Sequence, residues 1–108
     1  MTNEETILRA ILSTIGRQTF SPNDLRALIS PTGNQGKQIA AYNLCDGSRS
    51  QAEIAKKLGL DASNFSKTVS RWVELGIVFK LGTGSEQRLL HLYAIPEQPG
   101  GKEKKPNA

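Results

Sequence analysis

The side chains best suited to chemistry lie between residues 62 and 75, on one side of a predicted helix. At 100° per residue this side carries short hydroxyl groups together with one Lys, one Arg and one Glu: Ser63, Lys67, Ser70, Arg71 and Glu74, with Asn64 and Ser66 on its flanks. Small side chains allow close approach to base edges, Asn pairs with adenine, and Lys or Arg reaches guanine or phosphate. The face therefore suits the major groove of double-stranded DNA, although such a face taken alone is more often an ordinary solvated helix surface.

A helix, a tight turn and a second helix are predicted to hold this face. Ser50 and Glu53 have the spacing of a capping box, so the first helix should begin just after Ser50. Gly59 can end it in the left-handed conformation, and Asp61 can cap a second helix that begins at Ala62. The opposite side of the second helix is apolar and is expected to be buried: Phe65, Val69 and Trp72.

Residues 77–95 are predicted to form a β-hairpin. Two β-rich runs, 77–81 and 88–95, bracket the glycine-rich loop 82–87. Lys80 and Arg88 should flank this loop, where basic side chains can hold phosphate. The loop itself carries Glu86 and no Lys or Arg. We therefore expect it to contact the DNA backbone and not to enter the minor groove deeply.

With this hairpin, residues 37–96 resemble the winged helix-turn-helix domains of MarR-like and ArsR-like regulators. The matching segments are residues 52–55, 58–61, 68–71 and 75–78. The resemblance implies an α+β fold, mainly helical, with a C-terminal hairpin wing. It also implies a homodimer, because MarR-like proteins pair through helices outside the winged domain. A short strand often pairs with the wing in this fold; Ser48 and Arg49 are predicted to form it, which would place Arg49 near the phosphates.

Residues 1–36 precede the winged domain as a helical extension. A first helix over residues 3–15 should begin at a Thr2–Glu5 capping box and end at Gly16. It carries an aliphatic stripe: Ile7, Leu8, Ile11, Leu12 and Ile15. A second helix should follow Ser21 and bury three residues: Leu25, Leu28 and Ile29. The extension either completes the core of the same domain or dimerises, and the sequence leaves both interpretations open.

The remaining segments are assigned by composition. Residues 30–36 are predicted to be a loop, and residues 37–45 a helix behind the helix-turn-helix, at the start of a winged domain over 37–95. Residues 96–108 are predicted to be a disordered tail, either a solvated end or a weak electrostatic contact with nucleic acid.

Charge and length limit the classes of function. The chain has 108 residues and a net charge of +4, which allows one small domain. Residues 48–95 hold seven basic and four acidic side chains, whereas residues 1–47 hold four of each. The positive excess therefore lies in the segment expected to meet DNA. No apolar run is long enough to span a membrane and the N-terminus is acidic, so we expect a cytoplasmic protein.

Catalytic and metal-binding patterns are absent from the sequence. The one His and the one Cys lie far apart, so the usual zinc spacings are missing, and no cofactor or enzyme activity is expected. His91 is predicted to be a wing or core-edge residue. Cys45 is predicted to be a buried structural thiol, with a redox sensor as the alternative.

These patterns together predict a DNA-binding transcriptional regulator. Helix 62–75 would read the major groove and the wing would contact the backbone, so Lys67→Ala and Arg71→Ala should weaken DNA binding without lowering the melting temperature. The alternative is a winged-helix protein–protein module in a larger nucleic-acid-processing or defence complex, docked through the N-terminal stripe or the wing.

Overall fold

The computed structural model describes residues 2–31 and 35–96, which form a mainly helical α+β fold. The helices are α1 (Asn3–Thr19), α2 (Pro22–Ile29), α3 (Gln35–Asn43), α4 (Gln51–Leu58) and α5 (Ala62–Glu74). Two strands, β1 (Val78–Leu81) and β2 (Arg88–His91), pair as a C-terminal antiparallel hairpin with a single 3-10 turn, Gly84–Glu86, between them. The α+β class and the hairpin are confirmed. Within the described residues, no helix combines the length and apolarity that crossing a bilayer requires.

Local capping determines where the helices begin. Four predicted helix starts are confirmed, because each N-cap side chain accepts a hydrogen bond from a backbone N–H of the first turn: Thr2, Ser21, Ser50 and Asp61. Glu5 and Glu53 complete reciprocal capping boxes. Gly59 ends α4 at φ +66°, in the left-handed region that favours glycine.

One hydrophobic core contains residues of α2, α3, α4, α5 and the hairpin. Trp72 is fully buried, with its ring edge-to-face against Tyr42 and Phe65 at centroid distances of 5.7 and 6.0 Å. Leu25 and Ile29 of α2 are also fully buried in this core. Residues 22–29 are therefore part of the core of the domain.

The prediction that the first helix ends at Gly16 is wrong, since α1 continues to Thr19. Gly16 is buried against Leu92, and a Cβ at this position would lie 2.5 Å from Leu92 Cγ. The backbone of α1 approaches the residues after β2 this closely because Gly16 has no side chain. The helix ends instead at Thr19, followed by the C-cap residue Phe20, whose N–H donates to Gly16 O at 2.8 Å.

Most of the aliphatic stripe of α1 faces solvent. The exposed fractions are 58% for Ile7, 64% for Leu8, 50% for Ile11 and 55% for Ile15, and only Leu12 packs partly against the core. The other side of α1 makes the contacts with the domain, through Gly16 and through Arg17, whose guanidinium lies 4.9 Å from the Tyr93 ring centre. The amphipathic helix therefore presents its apolar side outward.

Two smaller predictions are wrong by a few residues along the chain. The third helix begins at Gln35, so the last two residues of the predicted loop are helical, and it ends at Asn43 and not at residue 45. A segment before α4 does pair with β2, but its bridge joins Asp46 to Leu90, so the pairing begins before residues 48 and 49; Arg49 takes part through its backbone O, which accepts from Leu89 N at 3.1 Å. Residues 32–34 of the loop and residues 97–108 of the tail lie outside the described residues.

Candidate nucleic-acid interface

The side of α5 opposite the core carries most of the predicted contact residues. Its members are all exposed: Ser63, Asn64, Ser66, Lys67 and Ser70. Within the part of the chain that the structure describes, their side chains make no hydrogen bond or ion pair. Behind them Phe65, Val69 and Trp72 are at most 3% exposed, so the core fixes the helix. The structure thus presents hydroxyl, amide and ammonium groups on a rigid support, with no hydrogen-bond or ion-pair partner among residues 2–31 and 35–96.

Arg71 lies on the same helix but points its guanidinium at α2. Its Nη1 donates to Leu28 O at 2.6 Å and its Nη2 donates to Ile29 O at 2.9 Å. These carbonyls end α2, where a helix lacks its own donors and its dipole is negative. Arg71 therefore ties α5 to the end of α2, and this geometry makes a loss of stability the expected result of Arg71→Ala.

Arg49 lies beside β2, next to Arg88. The backbone O of Arg49 accepts a hydrogen bond from Leu89 N at 3.1 Å. Its Nη1 forms a half-exposed ion pair with Asp46 Oδ2, also at 3.1 Å. Burial alone would raise the pKa of the Asp46 carboxyl, but hydrogen bonds from Ser48 and the Arg49 guanidinium together lower it. Asp46 is thus charged at neutral pH and offsets part of the Arg49 charge.

Arg88 supports the loop of the hairpin. Its Nη1 donates to Gln87 O at 3.2 Å and to Ser85 O at 3.4 Å. Arg88 and Arg49 both lower the pKa of Glu53, after the larger effect of the hydrogen bonds from Ser50. The structure therefore brings two predicted contact residues, Arg49 and Arg88, to the loop end of β2, in a cluster that also holds two carboxylates.

Lys80 is exposed at the loop end of β1. The register pairs Lys80 with Leu89 and Leu81 with Arg88. Because partners directly opposite share a face and successive side chains alternate, Lys80 and Arg88 project from opposite faces of the hairpin. Both cations flank the loop as predicted, but they do not form one continuous patch.

The one His and the one Cys are inside the protein. His91 is 8% exposed, its ring centre lies 5.4 Å from that of Tyr42, and burial together with the Arg9 charge lowers its pKa. The thiol of Cys45 is fully buried and contacts Ala41 O at 3.4 Å, and burial raises its pKa to about 12. A thiol with so high a pKa is not a reactive thiolate at neutral pH, which fits a structural residue. No group of three or more His, Cys, Asp or Glu in the described ranges could hold a metal ion.

Two exposed cations just before the turn between α4 and α5 were not among the predicted contact residues. Lys56 and Lys57 lie in the last turn of α4, just before the turn that leads into α5. The sequence places them off the apolar side of α4, but Lys at a helix C-terminus also interacts favourably with the helix dipole, so the pattern alone does not indicate binding.

No protein-family model matches the chain, and no curated protein or solved structure matches it.

Proposed function

We propose that this chain is a DNA-binding transcriptional regulator of the winged helix-turn-helix type, with α5 in the major groove and the hairpin against the backbone. The observation that carries the proposal is the exposed polar side of α5, whose side chains have no hydrogen-bond partner in the described part of the chain, held by a buried side at most 3% exposed. The order α3, α4, α5, hairpin supports the winged-helix interpretation and its resemblance to MarR-like and ArsR-like regulators. A protein with this function acts where the DNA lies, which is the basis for proposing a cytoplasmic location.

The side chains of α5 suggest how the groove would be read. Asn64 lies in the first turn, the part of a recognition helix that usually contacts base edges, and its amide can pair with adenine. Lys67 is one turn further along and can reach guanine or a phosphate. Asp61 already occupies the N-cap, accepting a hydrogen bond from Asn64 N at 2.8 Å. A carboxylate at this end repels phosphate, so we propose contacts through side chains and not through the helix N-terminus.

Four cations form the proposed electrostatic contact: Lys67, Lys80, Arg49 and Arg88. Arg71 positions α5 instead, because its guanidinium is bound to the end of α2. Neutralising about four phosphates would make affinity fall roughly 100-fold between 50 and 200 mM salt. Lys80 and Arg88 project from opposite faces, so they would contact different stretches of backbone.

Fluorescence anisotropy with a labelled duplex tests the proposal. Lys67→Ala should weaken binding roughly tenfold and reduce the slope of log affinity against log salt by about one. Lys37→Ala is the matched control, because Lys37 is also an exposed cation but lies on α3, outside the proposed face. If the two substitutions lowered the DNA affinity equally, or if Lys67→Ala left it unchanged, α5 would not be part of the interface.

The second candidate is a protein–protein module in a larger nucleic-acid-processing or defence complex. The four half-exposed aliphatic side chains of α1 favour it, since a contiguous apolar surface commonly marks a contact with another protein. This candidate predicts no duplex binding even at 50 mM salt, together with stable association with a protein partner.

A further inference from the structure

A cavity lies between the first half of α1 on one side and β2 with the residues that follow it on the other. Its volume is about 310 Å³, and Arg9, His91 and Tyr93 are among the residues that line it. The buried residue of α1 is Gly16, further along the helix, whereas residues 2–8 are all exposed. The first half of α1 therefore stands away from the domain. The volume is at the lower end of the roughly 300–1,000 Å³ that small-molecule sites occupy.

His91 makes this cavity a candidate binding site. It lines the cavity, yet it is only 8% exposed. Its ring packs against Tyr42, with 5.4 Å between the ring centres. Within residues 2–31 and 35–96, Nδ1 of His91 has no hydrogen-bond partner. A buried polar atom without a partner is destabilising, so a ligand that hydrogen-bonds to this ring would be bound favourably.

The charges around His91 favour an anionic ligand. Burial, and then the charge of Arg9 in the cavity lining, lowers the pKa of His91, so the ring is neutral at pH 7. The Asp46 carboxylate already accepts hydrogen bonds from Ser48 N and Arg49 Nη1. A neutral imidazole has one N–H donor, and a carboxylate can accept from it and from a guanidinium together. A carboxylate bound here would therefore offset the Arg9 charge beside the buried ring.

The apolar part of the lining limits the body of the ligand. It includes three leucines: Leu12, Leu90 and Leu92. Arg17 covers the Tyr93 ring, with its guanidinium carbon 4.9 Å from the ring centre, so that face of the ring does not stack on a flat ligand. A flexible chain can follow the leucines instead. The volume equals that of about ten water molecules at roughly 30 Å³ each, which suits a chain of about six carbons.

We propose that this cavity binds a short aliphatic carboxylate. The carboxylate lies between Arg9 and His91, and the chain lies against the leucines. Binding requires neither α5 nor DNA, so this site is independent of the proposed function.

An NMR titration of the full chain with hexanoate tests the proposal. His91 is the one His in the chain, so its Hε1 resonance is unambiguous. Hexanoate should bind with a dissociation constant of about 0.1–1 mM, and should raise the pKa of His91 because a carboxylate stabilises the imidazolium. Hexanamide, which has the same shape and no charge, should bind at least about tenfold more weakly. Acetate lacks the chain and should not bind at about 10 mM.

Three variants locate the site. Arg9→Gln removes a charged donor and should weaken hexanoate binding at least about tenfold. Lys37→Gln is the matched control, because it removes an exposed cation of α3 and should leave the affinity unchanged. Ser13→Leu places a larger side chain in the cavity lining and should also weaken binding, while the helix is retained because Leu has the higher helix propensity. The fluorescence of Trp72 verifies that each variant is folded.

Four results would overturn the proposal. They are a His91 resonance that does not shift at about 10 mM hexanoate, equal affinity for hexanamide and hexanoate, undiminished binding by folded Ser13→Leu, and equal losses in Arg9→Gln and Lys37→Gln. Benzoate provides a test of the ligand class. Affinity for benzoate about tenfold higher than for hexanoate would show that the chain of the ligand is not aliphatic.

Discussion

Two cations one turn apart on α5, Lys67 and Arg71, should respond differently to replacement by alanine. Arg71→Ala removes both guanidinium hydrogen bonds to the end of α2, at 2.6 and 2.9 Å. Trp72 Nε1 still donates to Ile29 O at 3.1 Å, so Ile29 O keeps one side-chain donor, whereas Leu28 O loses its side-chain donor. Lys67 makes no contact within the described residues that its replacement would break.

The expected loss of stability follows from these contacts. A hydrogen bond to a charged group contributes about 1.5–3 kcal/mol, and at this half-buried site water partly replaces the lost donors. We therefore expect Arg71→Ala to lower the free energy of unfolding by about 2–3 kcal/mol. For a domain of this size, that corresponds to a fall in melting temperature of roughly 10–20 °C. Lys67→Ala should change the free energy of unfolding by no more than about 0.5 kcal/mol.

Urea unfolding followed by the fluorescence of Trp72, the one Trp in the chain, measures both variants. Arg71→Lys keeps the charge but lacks the planar fork that serves two carbonyls, so it should restore only part of the loss. DNA affinity should be compared at a temperature where every variant is folded. An Arg71→Ala protein within about 0.5 kcal/mol of wild type, or a Lys67→Ala protein equally destabilised, would refute the structural role of Arg71.

Two further predictions concern glycine packing and pH. Gly16→Ala should lower the free energy of unfolding by about 1–3 kcal/mol, because its Cβ would lie 2.5 Å from Leu92 Cγ. Gly36→Ala in α3, with open space around its Cβ, should instead be neutral or gain up to about 1 kcal/mol, and a stabilised Gly16→Ala in the same urea series would contradict the packing. Burial lowers the pKa of His91, so the stability that its neutral ring contributes above pH 6.5 is lost as pH falls below 6.5. The melting temperature should fall from pH 7 to 5, less steeply in His91→Gln, and identical slopes would exclude His91 as the cause.

Features set by neighbouring residues could be predicted from the sequence. The Thr2–Glu5 and Ser50–Glu53 boxes form within one turn of helix, so spacing alone identifies them. The buried side of α5 could be predicted because three apolar residues recur with the spacing of one helix face: Phe65, Val69 and Trp72.

Features set by distant residues could not be predicted. Glycine commonly ends a helix, but Gly16 is where α1 passes Leu92, a residue 76 positions away in sequence. The sequence alone predicts Arg71 to be a cation that contacts the groove. Only the fold brings the end of α2, 42 positions earlier in the chain, beside its guanidinium. The hairpin register that separates Lys80 from Arg88 likewise depends on pairing across the loop.

The orientation of α1 is another feature that the sequence could not determine. The sequence left open whether residues 1–36 complete the core of the domain or dimerise. Its stripe predicted an amphipathic helix correctly, but hydrophobic periodicity does not say whether the apolar side faces the same chain or another molecule. The side of α1 that contacts the domain is the one with the small residue Gly16. The extension therefore divides: α2 contributes Leu25 and Ile29 to the core, and α1 keeps four aliphatic side chains exposed.

The most direct test of the central proposal is an amide ¹H–¹⁵N NMR titration of the protein with a short DNA duplex at 50 mM and 200 mM salt. Binding through α5 should shift resonances between residues 62 and 70 and around Arg49, Lys80 and Arg88, with little change in α3. These shifts should fade as salt rises, because the release of counterions from DNA favours binding less at higher salt concentration. Shifts confined to α1, or none at 50 mM salt, would contradict the proposed interface and favour the protein–protein alternative.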